Sequence, residues 1–444
     1  MNAKLCALTL LLLALTGLTA AHAGVSRSGE AITFEETVLT GDPIAAEGLT
    51  AHLTQSSRGQ VFFRTALPFG REPETAVSFS KSPHSPGNYD SSPVRLSVAL
   101  SSSWESFGGD LDPAELPPAH WTLTEPLLEA TPAGGTTTQT LELSNAWNAV
   151  PLNWRILLSQ QDLHSLSVPS PLLTALQEGF QYPVPEGQQV RLSVSRNDDG
   201  QWVQWELEDL SQRLQAEALS CTARDYTYFL PQLWDGDQLL PSAPLGRGVY
   251  RLPNTARPLT AEDLACVYLL EEAQQPLALS ADITGRFALL AVQEGNRTAL
   301  LVLDAETQQP VQSFDLPAAD SVSLLAGEGC VLALLPDDSF RLFSLDPSGP
   351  GEPLLTGQLP QSQEFPFFLG RRTQVAWDGQ RMALLCPAEY WRDLPAPSLL
   401  LGIWDEAGLR YCGGYGNSLD RCTDENGVPL CDYFGPDAVT LDWA

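Results

Sequence analysis

From residue 31 onward, short runs rich in Val, Leu, Thr and aromatic residues alternate with turn residues, and sustained helical periodicity is missing. Thirty-five prolines and 34 glycines punctuate the chain. That pattern predicts an all-β fold of short strands. One helix is expected after Pro171, near Leu172–Phe180 (PLLTALQEGF), ending at Gly179. The clearest hairpin joins Val190–Arg196 to Gln201–Leu207 through Asn197-Asp198-Asp199-Gly200. Its first strand, VRLSVSR, alternates apolar and polar residues, which leaves one face in water.

Between residues 277 and 415 the pattern repeats. Gly285, Gly329 and Gly379 each open a buried-looking run: RFALLAV, CVLALLP and QRMALLCP. A short strand precedes each, at Leu277–Ala281, Val322–Ala326 and Thr373–Trp377. An apolar run ending in Asp follows each, at Asp304, Asp346 and Asp405. A last strand completes each unit, near Val311–Leu316, Pro353–Leu359 and Leu409–Tyr415. Four short strands repeated at 44 and 50 residues are the signature of β-propeller blades. The closing Asp has a local reason, because its carboxylate accepts backbone N–H groups in the turn after the strand. An irregular blade precedes these, with strands Asp225–Leu233, Arg247–Leu252 and Cys266–Leu270 and no obvious first strand. The terminal strand Val439–Trp443 is expected to close the ring by completing that blade, giving about four blades, with a larger ring that borrows strands from the N-terminal half as the alternative.

On these repeats, residues 277–415 resemble blades of the WD40/YVTN-type propeller class, and the first residues and charge resemble those of bacterial secreted proteins. The three Trp-Asp dipeptides, Trp234-Asp235, Trp377-Asp378 and Trp404-Asp405, fall at different repeat positions and have no Gly-His partner, so they read as turn chemistry. Residues 24–215 hold strands such as Glu30–Val38, Thr50–Gln55, Gln60–Leu67, Val94–Leu100 and Thr138–Leu143 without a blade-length repeat. A β-sandwich-like domain is expected there, with irregular blades as the alternative, ahead of a propeller domain at 216–444.

Residues 1–23 read as a signal peptide: a short charged start, an apolar stretch Leu5–Ala20 and the small-x-small site Ala21-His22-Ala23. The stretch is shorter than the roughly 20 residues that span a bilayer. A secreted, extracytoplasmic protein without membrane insertion after cleavage is therefore expected. The net charge of −30 argues against nucleic acid and anionic membranes, which require clustered Lys and Arg. Export favours disulfides, and Cys412, Cys422 and Cys431 in a Gly/Asn/Asp-rich tail are candidates, with Cys221 and Cys266. Their spacing does not fit a zinc site. Cys330 and Cys386 lie in apolar strands and read as buried thiols.

All five histidines precede residue 165, so a histidine-based triad or metal site within the propeller is struck out. Asp424-Glu425-Asn426-Gly427 fails the calcium-loop pattern, with Cys422 and Tyr433 at the first and twelfth positions. The innermost strands offer Ser280, Ser323 and Gln374 and no acid before their closing turns. No cofactor is implied. The leading expectation is a non-catalytic exported interaction protein, whose partner is an extracellular or cell-envelope protein or glycan. Its alternatives are a carbohydrate-active enzyme using loop carboxylates and an extracytoplasmic sensor. The expected binding rim lies on the loops between second and third strands of the blades. It comprises Trp234, Asp235 and Asp237; Glu294 and Arg297; Asp337 and Asp338; and Glu389, Tyr390, Trp391, Arg392 and Asp393. Phe365, Phe367, Phe368, Arg371 and Arg372 join it from the link before the last blade. Acids beside aromatics suit a cationic or amphipathic partner.

Overall fold

Continuous apolar runs become strands buried on both faces. Phe287–Glu294, Met382–Pro387 and Leu399–Asp405 are interior almost throughout, whereas the outer strand Gln309–Leu316 is mostly exposed. A computed structural model describes residues 16–17, 32–57, 61–79, 96–102, 106–108, 118–145, 147–150, 152–158, 171–223, 225–255, 257–349, 351–360, 370, 372–387, 399–419, 431–433 and 438–443. Strands make up 59% and helices 9%, so the chain is all-β as expected. Four-stranded antiparallel sheets of the propeller type recur along it. Residues 1–23 lie outside the described residues except for 16–17, and among the described residues no helix is long and apolar enough to cross a membrane.

The chain divides into two compact units, residues 1–92 with 312–444 and residues 93–311, the boundary falling inside the strand Gln309–Leu316. In the first unit, Ser323–Gly327, Cys330–Leu334, Ser339–Ser344 and Leu355–Gln358 form one blade. Gln374–Trp377, Met382–Pro387, Leu399–Asp405 and Gly408–Asn417 form the next. These strands reproduce the repeats read from the sequence. Phe34–Gly41 adds a fifth strand to the second blade by pairing with Gly408–Asn417.

The closing strand pairs elsewhere than expected. Val439–Trp443 lies antiparallel to Leu49–Ser57, which continues into Val61–Pro68 and Glu74–Phe79. It does not complete the 225–270 blade, because Leu214–Thr222 already fills the first position there. The register has a packing reason: Ala51 faces Leu441 and Leu53 faces Val439, and all four enter one core with Leu385, Leu401, Ile403 and Tyr411. Residues 34–79 thus pair with C-terminal strands, Phe34–Gly41 with Gly408–Asn417 and Leu49–Ser57 with Val439–Trp443.

Arg381 secures this junction. Its Nε donates to Asp378 Oδ2 at 2.8 Å and its Nη1 to the Ala45 carbonyl at 2.8 Å. Its guanidinium carbon lies 4.3 Å from the centre of the Trp443 ring. Losing a charged hydrogen bond and a cation–π contact predicts that Arg381→Ala destabilises by about 2–4 kcal/mol. Denaturant titration checks this, and a midpoint unchanged from wild type would contradict it.

In the second unit, Leu214–Thr222, Tyr226–Asp235, Gly248–Pro253 and Ala265–Leu269 form a blade, and Gln274–Ala281, Phe287–Glu294 and Arg297–Asp304 lead the next. Tyr228 Oη donates to the Gly285 carbonyl at 2.5 Å, joining one blade to the next at its turn. The hairpin Gln189–Arg196/Trp202–Asp209 pairs with Thr136–Glu142, and Leu96–Ser102 pairs with Leu152–Leu158. The helix Pro171–Gly179 sits where expected, burying Leu172 and Leu176. A second helix, Pro118–Ala130, was not expected, since Pro126 interrupts its pattern.

Of the disulfide candidates, Cys221, Cys266 and Cys412 are free thiols, Cys431 lies in the short strand Cys431–Tyr433, and Cys422 lies outside the described residues. Cys221 packs with Tyr228 and Leu230, whereas Cys266 packs with Phe229 and Leu252, on opposite faces of one blade. Cys412 joins Cys330 and Cys386 in an apolar cluster, while Cys431 sits with Ile32 and Leu419. Burial pushes the Cys412 thiol up to about 11 and those of Cys330 and Cys386 to about 12, the state of inert core cysteines.

Candidate functional site

The loop acids are placed by short, rigid turns. Trp234 and Asp235 end a strand that turns at Gly236-Asp237, with Gly236 at φ +61°. Trp234 Nε1 donates to Gln232 Oε1 at 3.1 Å, which holds the indole along its own strand. Asp235 is half-buried and Arg213 Nη2 donates to its Oδ2 at 2.6 Å, so its charge is answered within the fold. Asp237 is exposed at the turn.

Asp337 and Asp338 form the tight turn between Cys330–Leu334 and Ser339–Ser344. Asp337 Oδ1 accepts from the Ser339 hydroxyl at 2.5 Å and its backbone N–H at 3.0 Å. The hydroxyl first, and then the backbone N–H, hold this exposed carboxyl below the usual carboxylate range. Asp338 occupies φ +61°, and its carbonyl accepts from Leu359 N–H at 2.8 Å. Glu294 and Arg297 face each other across the Gly295 turn. Glu389, Tyr390, Trp391, Arg392 and Asp393 lie outside the described residues, as do Phe365, Phe367, Phe368 and Arg371. Arg372 donates to the Tyr433 carbonyl at 3.0 Å. Trp234, Asp235 and Asp237 belong to the second unit, and Asp337 and Asp338 to the first.

The Asp residues closing each repeat do what their position implies. Asp304 Oδ1 accepts from Glu306 and Thr307 N–H, both at 2.9 Å, and the Thr307 N–H leads in holding its carboxyl low. Asp346 accepts from Ser348 N–H at 2.9 Å and Asp405 from Ala407 N–H at 2.8 Å. Asp282 Oδ1 accepts from Phe287 N–H at 2.7 Å. Asp378, in a Trp-Asp dipeptide, accepts from Gln380 and Arg381 N–H at 2.8 and 2.6 Å. The Asp378 and Asp405 dipeptides are turn chemistry, as read.

Sequence reasoning missed two features. Arg213, the partner of Asp235, sits before a strand that went unseen, and no local signal links residues 22 apart. That strand, Leu214–Thr222, also places an exposed Glu217 on a blade's edge strand. Among the described residues no group of three or more His, Cys, Asp or Glu is placed to hold a metal ion. Chemically, the first unit offers at Asp337 an ionised carboxylate fixed by the Ser339 hydroxyl and backbone N–H, and the second unit offers half-buried aromatic surface at Trp234.

No protein family matches the chain, and no curated protein is similar to it. Solved structures do match. A chain of the mitotic checkpoint complex is 12% identical with a TM-score of 0.28, over 44% of this chain and 50% of that one. The chain thus spans about half the length of that relative. The β-propeller domain of Cps50 (Swd1) from Myceliophteria thermophila is 12% identical, TM-score 0.21, over 52% and 83% of the two chains. The β-propeller domain of the Trilobed protease from Pyrococcus furiosus is 10% identical, TM-score 0.23, over 52% and 66%.

Proposed function

We propose that the chain is an exported, non-catalytic binding protein, whose blade-tip turns present an acidic platform to a cationic or amphipathic protein partner of the cell envelope or its exterior. The observation that carries this reading is Asp337: an exposed carboxylate on a rigid turn, kept ionised by its Ser339 donors, in a chain of net charge −30. Such fixed charge favours encounter with positively charged surfaces and fixes orientation. The signal segment at 1–23 supports export, and the acidic balance disfavours nucleic acid and anionic lipid as partners. Trp234 and Trp391 are the aromatic anchors of this reading, with Asp235, Asp237, Asp338, Glu389, Tyr390 and Asp393 as its further rim.

The test uses the conservative change Asp337→Asn. An Asn side-chain oxygen still accepts from Ser339, so the turn persists while the charge leaves. Capture of envelope proteins on the immobilised mature chain should weaken by about two- to fivefold, the effect shrinking as salt rises. Trp391→Ala should weaken it further, with melting unchanged in both variants. Capture indifferent to both substitutions and to salt would remove the platform from these loops. New reducing ends from a glycan mixture, lost on substituting one carboxylate, would replace this reading with a carbohydrate-active one.

A further inference from the structure

The blade built from Leu49–Ser57, Val61–Pro68, Glu74–Phe79 and Val439–Trp443 turns one face to its core and bears an open groove of about 470 Å³ on the other. Strand alternation builds this groove. His52 lies opposite Ala66 and Ala66 opposite Glu74; one row along, Thr54 lies opposite Arg64 and Arg64 opposite Ala76. Ala66 on the inner strand and the exposed Ala76 on the edge strand thus form a shallow apolar floor, beside which longer polar side chains stand. Beneath the floor, the Thr65 and Thr75 hydroxyls hydrogen-bond at 2.8 Å, which ties the two strands together.

The rim carries both signs of charge. Arg64 and Glu74 are exposed and sit diagonally on neighbouring strands, about 7–8 Å apart at the backbone. Arg64 Nη1 donates to Ser78 Oγ at 3.4 Å, which orients the guanidinium while leaving most of its five donors for other partners. His52 Nε2 lies 3.7 Å from Asp442 Oδ2, at the end of the groove formed by the terminal strand.

We propose that this groove binds a two-residue peptide with free termini: its carboxylate on the Arg64 fork, its ammonium on Glu74, and small apolar side chains over Ala66 and Ala76. Two extended residues span about 7 Å, comparable to the backbone separation of Arg64 and Glu74. Arg is the side chain suited to bidentate carboxylate recognition. The groove is separate from the acidic turns, so the outcome here is independent of partner capture through Asp337.

Calorimetric titration of the mature chain with dialanine tests it, alongside the N-acetylated and C-amidated forms. Dialanine should bind saturably, and each blocked form should bind at least tenfold more weakly. Arg64→Gln should erase the difference between dialanine and its amide, and Glu74→Gln the difference between dialanine and its acetyl form. Both positions are exposed, and the melting of each variant is measured in parallel. Should either variant misfold, the blocked-peptide series on the wild-type chain decides alone. Absence of saturable binding, equal binding of the three peptides, or selectivity unchanged in both folded variants overturns the proposal.

Discussion

Removing residues 438–444 should abolish cooperative melting of the unit formed by 34–79 and 312–444. Ala438, Val439 and Leu441 are almost wholly buried, and Thr54 N–H donates to the Ala438 carbonyl at 2.7 Å. Burying one Val and one Leu contributes about 3–6 kcal/mol, a large share of the roughly 5–15 kcal/mol by which a domain is stable. The deletion also uncovers the edge of Leu49–Ser57 and the apolar row of Ala51 and Leu53, a template for aggregation. Scanning calorimetry and light scattering read both consequences. Adding the excised segment as a synthetic peptide should restore part of the transition, because it re-enters as a strand. A truncated chain that melts as the full chain does would show that Val439–Trp443 contributes no closure.

How much of this was legible in the sequence depends on whether the signal is local. The strands of the three regular repeats were readable because a turn glycine, a continuous apolar run and a closing Asp all act within one hairpin. Asp304, Asp346 and Asp405 took the turn roles their positions implied. Leu214–Thr222 escaped because Ala216, Glu217 and Ala218 stand where Val or Leu would mark a strand, and its packing comes from neighbours rather than from its own residues. The pairing of Val439–Trp443 with Leu49–Leu53 joins opposite ends of the chain. Its register follows from which face each residue buries, a fact about the assembled core that no short window contains. The candidate site divides in the same way. That Asp337 is an exposed turn acid could be read from Pro336-Asp337-Asp338-Ser339, whereas the Asp235–Arg213 pair required the fold. The groove over Ala66 and Ala76 was likewise invisible, since it exists only once three strands lie side by side.

The approach of two innermost strands gives the second large effect. Ser323–Gly327 and Gln374–Trp377 run side by side, and Gly327 is buried at their junction. A Cβ on Gly327 would stand 2.4 Å from the Val375 carbonyl oxygen, 2.9 Å from Cys330 Sγ and 3.1 Å from Val375 Cγ1. The first of these is backbone and has no rotamer with which to withdraw, so the strand itself must move. Moving it opens the apolar cluster where Leu332, Leu384, Met382 and Trp404 meet. Overpacking of this kind costs about 1–3 kcal/mol, and backbone displacement places Gly327→Ala at the upper end and Gly327→Val beyond it. Gly351→Ala is the matched control: nothing lies within 4 Å of its Cβ, so its stability should stay within about 0.5 kcal/mol of wild type. A second readout comes from Cys330, whose thiol burial raises to about 12. Displacing the strand should expose this thiol, so its labelling by a disulfide reagent under native conditions should accelerate in Gly327→Ala and not in Gly351→Ala. Equal stability and equal labelling in the two variants would mean that the strands separate at no cost, contrary to the packing of Gly327 against Val375.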